Sequence, residues 1–225
     1  MSEQLIAAVD SLGFPVVGRS ALGRPISAGR FGPPGGPVLL VVGGVHGNEE
    51  SSVAAALELV PWLLAHPPRR GVLLLPALNP DGVVAGTKNS SRDVDLNRNF
   101  PSLNFRTDHA PGYDPGPAPL SEPETQALAA LVDGTVEGVV AIHAPFACVN
   151  YDGPAVEWAE AIAASCGWPA RADIGYPTPG SLGSWLGRDR GLPVITLELP
   201  PGEHRSFARE AQSALQTAIN RERIR

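Results

Sequence analysis

Four short runs of apolar residues constrain the fold of this chain more than any other feature of its sequence. They are VLLVVGG (38–44), GVLLLPAL (71–78), GVVAIHAP (138–145) and PVITLELP (193–200). Runs of this length, rich in Val, Leu and Ile and without polar alternation, are typical of strands buried on both faces of a sheet. Parallel strands of this kind need crossover connections, which are usually helices.

The segments between these runs have the character of helices. They are residues 4–12, residues 51–65, SEPETQALAALVDG (121–134), AVEWAEAIAASCG (155–167) and an amphipathic tail at about 206–223. Within one of them, Ser121 and Glu124 have the spacing of a capping box, and Gly134 marks the helix end. A further strand is expected within GRPISAGRFG (23–32). This alternation predicts an α/β fold, a single domain over residues 1–225 with a mixed, largely parallel sheet flanked by helices.

Composition excludes several classes of partner. The chain has 225 residues, 43% of them hydrophobic, which is enough for a sizeable core. Its formal net charge is −6 and it contains no run of Lys or Arg, so neither nucleic acid nor an anionic membrane surface is expected as a partner. No apolar run approaches the length needed to span a bilayer.

The expected location is the cytoplasm. The N-terminal sequence MSEQLIAAVDSLGF lacks a basic region followed by a long apolar core, so no signal peptide is expected. Cys148 and Cys166 lie in apolar surroundings and are expected to be free, buried thiols. Trp158 and Trp185 are expected to serve packing.

Polar residues follow three of the buried strands. His46 comes after the first run, His143 follows VVAI and Glu198 follows VITL. Ligands of open α/β sheets bind at the carboxyl ends of the strands, where these side chains should meet. Glu49 lies three residues after His46, a spacing that also suits the acidic first turn of a helix. Convergence of two imidazoles and two carboxylates favours a metal site.

The number of ligands is that of a catalytic zinc site. Such a site has three protein ligands and leaves one coordination position for water, whereas structural zinc sites have four ligands and are usually rich in cysteine. His46, Glu49 and His143 would then bind the metal. Glu198 would remain as a general base beside the metal-bound water.

A second polar cluster, NSSRDVDLNRNFP (89–101), lies in an irregular segment that runs from about 86 to 120. It contains Arg92, Asn97 and Arg98 beside two aspartates. One interpretation is a solvated loop with local Asp–Arg pairs. The other is that one guanidinium stabilises a developing oxyanion while the other binds a substrate carboxylate. The residues alone do not distinguish the roles of the two arginines.

HGNE (46–49), DLNRNFP (95–101), IHAP (142–145) and LE (197–198) resemble, in this order, the motifs of zinc carboxypeptidases of the carboxypeptidase A type. The resemblance extends from about residue 18 to residue 201. It implies one zinc ion per chain with His46, Glu49 and His143 as ligands, and Glu198 as the catalytic base.

The same resemblance separates the arginines. It implies that Arg92 polarises the scissile carbonyl and that Asn97 and Arg98 hold the terminal carboxylate of the substrate. Tyr176, which precedes PTPGS, is similar to a tyrosine that folds over the substrate in digestive members, although it is one residue out of step.

Within that family, IHAPFACVNYDGP (142–154) and GYPTPGSLGSW (175–185) resemble the bacterial murein peptide amidases. This implies hydrolysis of the bond between γ-D-glutamate and meso-diaminopimelate in the murein tripeptide, a small peptide with a free carboxylate. The alternatives are an aspartoacylase-like or succinylglutamate desuccinylase-like deacylase of N-acylated amino acids and a general metallocarboxypeptidase. A zinc-binding module without catalysis is a further alternative from a different class.

Overall fold

The structure, a computed structural model that describes residues 2–221, places seven strands in one sheet and two in a small separate ribbon. The strands are β1 (Val16–Arg19), β2 (Pro25–Ser27), β3 (Gly29–Phe31), β4 (Val38–Val42), β5 (Gly71–Leu75), β6 (Val136–His143), β7 (Cys148–Asp152), β8 (Ala170–Arg171) and β9 (Val194–Glu198). The helices are α1 (Ser2–Ser11), α2 (Glu50–Ala65), α3 (Pro80–Ala85), α4 (Pro123–Leu131), α5 (Val156–Cys166) and α6 (Ala208–Asn220). Shorter helical segments are 3-10 turns at Leu96–Arg98 and His204–Ser206 and a π-helical segment at Gly183–Asp189.

The main sheet is mixed and largely parallel. Its strand order is β3-β5-β4-β6-β9-β7-β8. The four strands β5, β4, β6 and β9 run parallel to one another and correspond to the four apolar runs of the sequence. β3 and β7 pair antiparallel with β5 and β9, and β8 pairs parallel with β7. The predicted α/β fold is therefore confirmed.

Strand β4 illustrates why these runs are apolar throughout. All of its residues are buried. Leu39 and Val41 enter a core layer that they share with α2, α5 and α6. Leu40 and Val42 point to the opposite layer, which includes residues of α4 and of the π-helical segment. Because side chains alternate between the two faces of a strand and both faces are covered by protein, no position is left for a polar residue.

The tryptophans pack in these layers, as predicted. The side chain of Trp158 on α5 lies in the first layer and is 1% exposed. Trp185 stacks on Phe100 in the second layer, with the ring centroids 5.6 Å apart and an interplanar angle of 6°. Replacing a buried Trp or Phe by Ala typically costs about 3–5 kcal/mol, so both residues contribute mainly to stability.

Asn99 organises the long irregular segment of about residues 86–120. Its side chain is fully buried and donates to the carbonyl oxygens of Pro115 (2.7 Å) and Ala118 (3.0 Å). Its Oδ1 accepts a hydrogen bond from Thr125 Oγ1 at 2.6 Å, which ties the segment to α4. A buried amide with satisfied donors and acceptor fixes a loop that has no periodic structure of its own.

The start of α4 differs from the prediction. The helix begins at Pro123, and no side-chain hydrogen bond caps it at Glu122. Glu124, expected to complete a capping box with Ser121, instead accepts a hydrogen bond from the backbone N–H of Ala21 at 2.9 Å. Proline suits the first helical position because it lacks an N–H. The capping box is therefore wrong, because a contact distant in sequence recruits the carboxylate.

Other boundaries shift by small amounts. The expected strand within residues 23–32 is divided into β2 and β3 at Ala28. The predicted tail helix is present as α6, and the last part of the prediction, residues 222–223, lies outside the described residues. No helix within residues 2–221 is both long enough and apolar enough to cross a membrane.

Candidate active site

The carboxyl ends of three parallel strands bring polar side chains to one edge of the sheet. β6 ends at His143 and β9 ends at Glu198, and these two residues are direct partners in the strand register. β4 ends at Val42, and His46 follows in the adjoining loop. All three side chains line a single cavity. The structure thus brings together the residues that strand-end reasoning singled out.

The loop between β4 and α2 turns tightly enough to direct His46 and Glu49 inward. Gly44 has a φ of +59°, which residues with side chains rarely adopt, and a Cβ at Gly47 would overlap the backbone of Gly82. Ser52 stabilises the helix start: its Oγ donates to the carbonyl of Glu49 at 2.7 Å and accepts from Gly44 N–H at 3.0 Å. The Glu49 carboxylate makes no capping bond and is left for the cavity.

The Glu49 carboxylate bridges the two imidazoles. Its Oε1 lies 2.8 Å from His46 Nδ1, and its Oε2 lies 3.1 Å from His143 Nδ1. His46, Glu49 and His143 each offer one ligand atom, and these atoms lie within 4.8 Å of one another. The cluster is therefore a candidate metal site. Two imidazole nitrogens and one carboxylate suit a divalent transition metal, and they leave a further coordination position open.

Asp95 fixes the His46 ring from the opposite side. His46 Nε2 lies 3.0 Å from Asp95 Oδ1. The carboxylate is fully buried and accepts hydrogen bonds from Lys88 Nζ (2.7 Å) and from the backbone N–H of Asn97 (2.9 Å). A carboxylate behind a metal-binding histidine sets its tautomer and raises its basicity. Sequence reasoning named Asp95 only as a neighbour of the arginines and missed this role.

Charges within the cluster are strongly coupled. Burial lowers the pKa of the His46 imidazole, but the charge of Glu49 and hydrogen bonds to Glu49 and Asp95 together raise it to about 9. Burial raises the pKa of Glu49, but the two imidazoles lower it to about 2. Burial also opposes ionisation of Asp95, but the hydrogen bond and charge of His46 hold its pKa well below the usual range. Both carboxylates are therefore charged at neutral pH, and a metal ion would displace the proton that they hold on His46.

Glu198 differs from these carboxylates in its surroundings. The residue is 5% exposed, and its Oε2 has no hydrogen-bond partner within residues 2–221. Burial raises the pKa of Glu198, an effect that the charge of His143 partly opposes. A buried carboxylate with an unpartnered oxygen and a raised pKa, placed in a cavity, has the properties of a general base.

The cavity has a volume of about 790 Å³ and extends well beyond the metal cluster. Two of the residues predicted to bind substrate, Asn97 and Arg98, line it. Arg98 is 5% exposed, and its Nη1 donates to the carbonyl of Asn97 at 2.6 Å. Asn97 Oδ1 accepts a hydrogen bond from the backbone N–H of Leu182 at 3.0 Å. Both side chains are thus held in place at the cavity wall.

Arg92 lies elsewhere. Its guanidinium is 3.9 Å from Glu122 and its side chain is 56% exposed, outside the cavity. Lys88 lines the cavity instead, with 28% of its side chain exposed. The polarising role that the resemblance implies for Arg92 therefore needs correction, because the turn at residues 89–94 points this side chain towards the start of α4. Lys88 is the cation that sequence reasoning missed.

Tyr176 lies at the cavity wall. It is 37% exposed, and its ring centroid lies 6.2 Å from that of Phe146 and 6.3 Å from that of Tyr113. Burial raises the pKa of its phenol, which the nearby charge of Arg98 opposes. An aromatic group in this position borders the same space as Arg98.

Comparison with known proteins agrees with this geometry. The sequence profile of the zinc carboxypeptidase family matches residues 10–153, a range that includes His46, Glu49 and His143. Murein peptide amidase A of Escherichia coli K12 is 36% identical over 197 residues, covering 82% of this chain and 80% of that protein.

Solved structures are similar as well. The crystal structure of the murein-tripeptide amidase MpaA from Escherichia coli O157 has a TM-score of 0.75 and 32% identity, and the match covers 93% of this chain and 95% of that one. Bovine thrombin-activatable fibrinolysis inhibitor, in complex with tick carboxypeptidase inhibitor, shares the fold with a TM-score of 0.79 at 16% identity, covering 96% and 93% of the two chains. The chain belongs to the zinc carboxypeptidase family, and it is a hydrolase.

Proposed function

We propose that the protein is a zinc-dependent amidase that hydrolyses the γ-D-glutamyl–meso-diaminopimelate bond of the murein tripeptide. The observation that carries this proposal is the cavity in which His46, Glu49 and His143 meet beside Glu198. The similarity to two proteins named as murein peptide amidase and murein-tripeptide amidase supports the choice of substrate. In this proposal the whole chain forms one catalytic domain, and the free thiols of Cys148 and Cys166 suit a cytoplasmic location.

Zinc is the metal that this donor set suits best. His46 Nδ1, His143 Nδ1 and a Glu49 oxygen would hold one ion per chain, and Asp95 would orient His46 from behind. Bound there, zinc would supply the Lewis acidity that activates both the scissile carbonyl and the attacking water.

Glu198 moves the protons of the reaction. As general base, its unpartnered Oε2 takes a proton from the attacking water, and the same carboxyl then donates that proton to the departing amine of diaminopimelate. Burial raises the pKa of Glu198 above its ordinary value, which makes the carboxylate a stronger base towards the attacking water.

Lys88 stabilises negative charge on the scissile carbonyl oxygen. Its ammonium is held 2.7 Å from Asp95 Oδ2 and lines the cavity next to the metal cluster. A fixed cation beside a developing oxyanion lowers the barrier because it needs no reorientation during the reaction. Lys88 thereby takes the role that the family resemblance implies for Arg92.

Replacing Lys88 by Met should lower kcat by about 10²–10³, the scale of losing one oxyanion-stabilising group. Arg92→Met is the matched control, since it removes a cation of the same segment from outside the cavity and should change kcat little. Steady-state kinetics of both variants, together with their zinc content, measure the difference. A larger loss of kcat in the Arg92 variant than in the Lys88 variant would show that Arg92 polarises the carbonyl.

Asn97 and Arg98 bind the carboxylate on the diaminopimelate side of the bond. A guanidinium presents a planar fork that matches a carboxylate in two parallel hydrogen bonds. Arg98 is nearly buried at the cavity wall, where this interaction is little screened by water. Tyr176 borders the same space, with the rings of Tyr113 and Phe146 beside it.

The substitution Arg98→Lys keeps the charge but loses the fork, so kcat/KM for the tripeptide should fall. Amidating the substrate carboxylate nearest the scissile bond should reduce kcat/KM of the wild type roughly 10- to 100-fold, the value of charge-assisted hydrogen bonds. The Lys variant should lose much less. Equal losses in both proteins would show that Arg98 does not bind that carboxylate.

A substrate panel tests the proposal against its alternatives. The purified, zinc-loaded protein is given L-Ala-γ-D-Glu-meso-diaminopimelate, N-acetylaspartate, N-succinylglutamate and a peptide with an apolar C-terminal residue. We expect measurable turnover of the murein tripeptide alone. Preference for the N-acylated amino acids would establish the deacylase alternative, and preference for the apolar peptide a general carboxypeptidase. No turnover of any substrate by zinc-loaded protein would favour a binding module without catalysis.

A further inference from the structure

The cavity continues along the sheet, away from the metal cluster. β7 and β9 are antiparallel partners, with Asn150 opposite Thr196 and Asp152 opposite Val194. Residues two apart on a strand share one face, so Glu198 and Thr196 on β9 point the same way. Together with Asn150 and Asp152 they line the cavity. Its floor therefore carries a row of polar groups that begins at Glu198 and ends at Asp152.

Asp152 is a buried carboxylate at the far end of this row. Its side chain is 9% exposed, and its Oδ1 accepts a hydrogen bond from Arg188 Nε at 2.7 Å. The side chain of Arg188 is 54% exposed and reaches Asp152 from the protein surface. Water competes for the exposed guanidinium of Arg188, so this ion pair only partly offsets the cost of burying the Asp152 carboxylate.

The π-helical segment is shaped around this carboxylate. A Cβ added at Gly183 would overlap Asp152 Oδ2, and one added at Gly187 would overlap Asp152 Cβ. Neither glycine has a positive φ, so backbone conformation does not explain them. The close approach of the segment to Asp152 explains both glycines. Gly183 itself lines the cavity. The second oxygen of Asp152 thus lies against a residue without a side chain, and both residues line the cavity.

We propose that Asp152 binds the ammonium group at the distal end of the diaminopimelate side chain and so selects this substrate. The inference rests on the proposed function, which it extends from the scissile bond to the recognition of the side chain. An apolar side chain in the same place would cover the Asp152 carboxylate without offering it a hydrogen bond, which is costly.

The length of the substrate fits the length of the cavity floor. Asp152 pairs with Val194 in the strand register, and Val194 lies four residues before Glu198 on β9. Four residues of a strand cover about 13 Å. In diaminopimelate, six covalent bonds connect the amide nitrogen to the distal ammonium, which is roughly 7–8 Å when extended. A hydrogen bond of about 3 Å at each end completes the distance from Glu198 to Asp152.

The test compares two substrates and two proteins. One tripeptide ends in meso-diaminopimelate and the other in L-α-aminopimelate, which lacks only the distal ammonium. Each is given to the wild type and to Asp152→Asn, which keeps the shape of the side chain and removes its charge. Asp10→Asn on the exposed face of α1 is the matched control for the change in net charge. Zinc content and thermal unfolding are recorded for each protein.

We expect the wild type and the Asp10 variant to prefer diaminopimelate in kcat/KM by roughly 10- to 100-fold. In the Asp152 variant this preference should disappear, because turnover of the diaminopimelate tripeptide falls while that of the aminopimelate tripeptide does not. A preference that survives the substitution overturns the inference and leaves the proposed function intact.

The wild type alone also decides the question if the variant fails to fold. Equal kcat/KM for the two tripeptides in the wild type would show that the protein does not bind the distal ammonium. This result would also overturn the inference. If the zinc-loaded wild type hydrolyses neither tripeptide, the proposed function itself fails and the inference fails with it.

Discussion

Replacing His143 by Ala is expected to remove nearly all bound zinc and nearly all hydrolytic activity. His143 Nδ1 faces the Glu49 carboxylate at 3.1 Å, and the variant would leave only His46 and Glu49 as ligands. Catalytic zinc sites use three protein ligands, and two hold the ion far more weakly. Metal analysis by mass spectrometry after dialysis measures the zinc content of the variant, and hydrolysis of the tripeptide measures its activity.

His66→Ala is the control for this experiment. His66 is exposed, near the end of α2, and lies outside the cavity, so its variant should keep both zinc and activity. Circular dichroism shows whether the His143 variant retains its fold. A folded His143→Ala protein that keeps the zinc content of the wild type would rule out His143 as a ligand.

Glu198→Gln should keep zinc and lose turnover. The amide has the size and shape of the carboxyl group but cannot take a proton from water. The expected loss in kcat is about 10²–10⁴, the usual contribution of a positioned acid–base group. Glu198 makes no hydrogen bond to the imidazoles of His46 and His143, so the metal cluster should survive. Kinetics and metal analysis of the same preparation separate the two effects.

Loss of zinc in the Glu198 variant would mean that the roles of Glu49 and Glu198 had been exchanged. Glu49→Gln is the corresponding control, because that substitution should release zinc as well as abolish activity. A Glu198 variant that turns over the tripeptide at the rate of the wild type would remove this residue from the mechanism.

The sheet and the position of the site could be predicted because both follow from local sequence. Buried parallel strands are apolar at every position, as in β4, and they are therefore visible as short runs. The carboxyl ends of such strands meet at one edge, and this rule suffices to place His46, His143 and Glu198 together from their positions in the sequence. Register adds the detail that His143 and Glu198 are direct partners.

The cations of the irregular segment could not be assigned in this way. Lys88 and Arg92 lie four residues apart in a region without periodicity, so sequence does not determine which side chain faces the cavity. The choice depends on contacts with distant elements: Asp95 fixes Lys88, while Glu122 at the start of α4 attracts Arg92.

The far end of the cavity was also beyond prediction from sequence. The close approach of Gly183 and Gly187 identifies Asp152 as a candidate, and these glycines lie more than 30 positions away in the sequence. Glycines that leave room for a neighbour cannot be distinguished in sequence from glycines that permit a turn. The pairing of β7 with β9, which aligns Asp152 with the row that starts at Glu198, is likewise a property of the tertiary structure.

The most direct test of the central claim is identification of the products formed from L-Ala-γ-D-Glu-meso-diaminopimelate. The zinc-loaded protein is incubated with the tripeptide and the products are identified by liquid chromatography and mass spectrometry, with Glu198→Gln as the control for contaminating hydrolases. We predict L-Ala-γ-D-Glu and free meso-diaminopimelate in equal amounts, formed by the wild type and almost absent with the variant. Intact tripeptide, or release of L-Ala in place of diaminopimelate, would contradict the account.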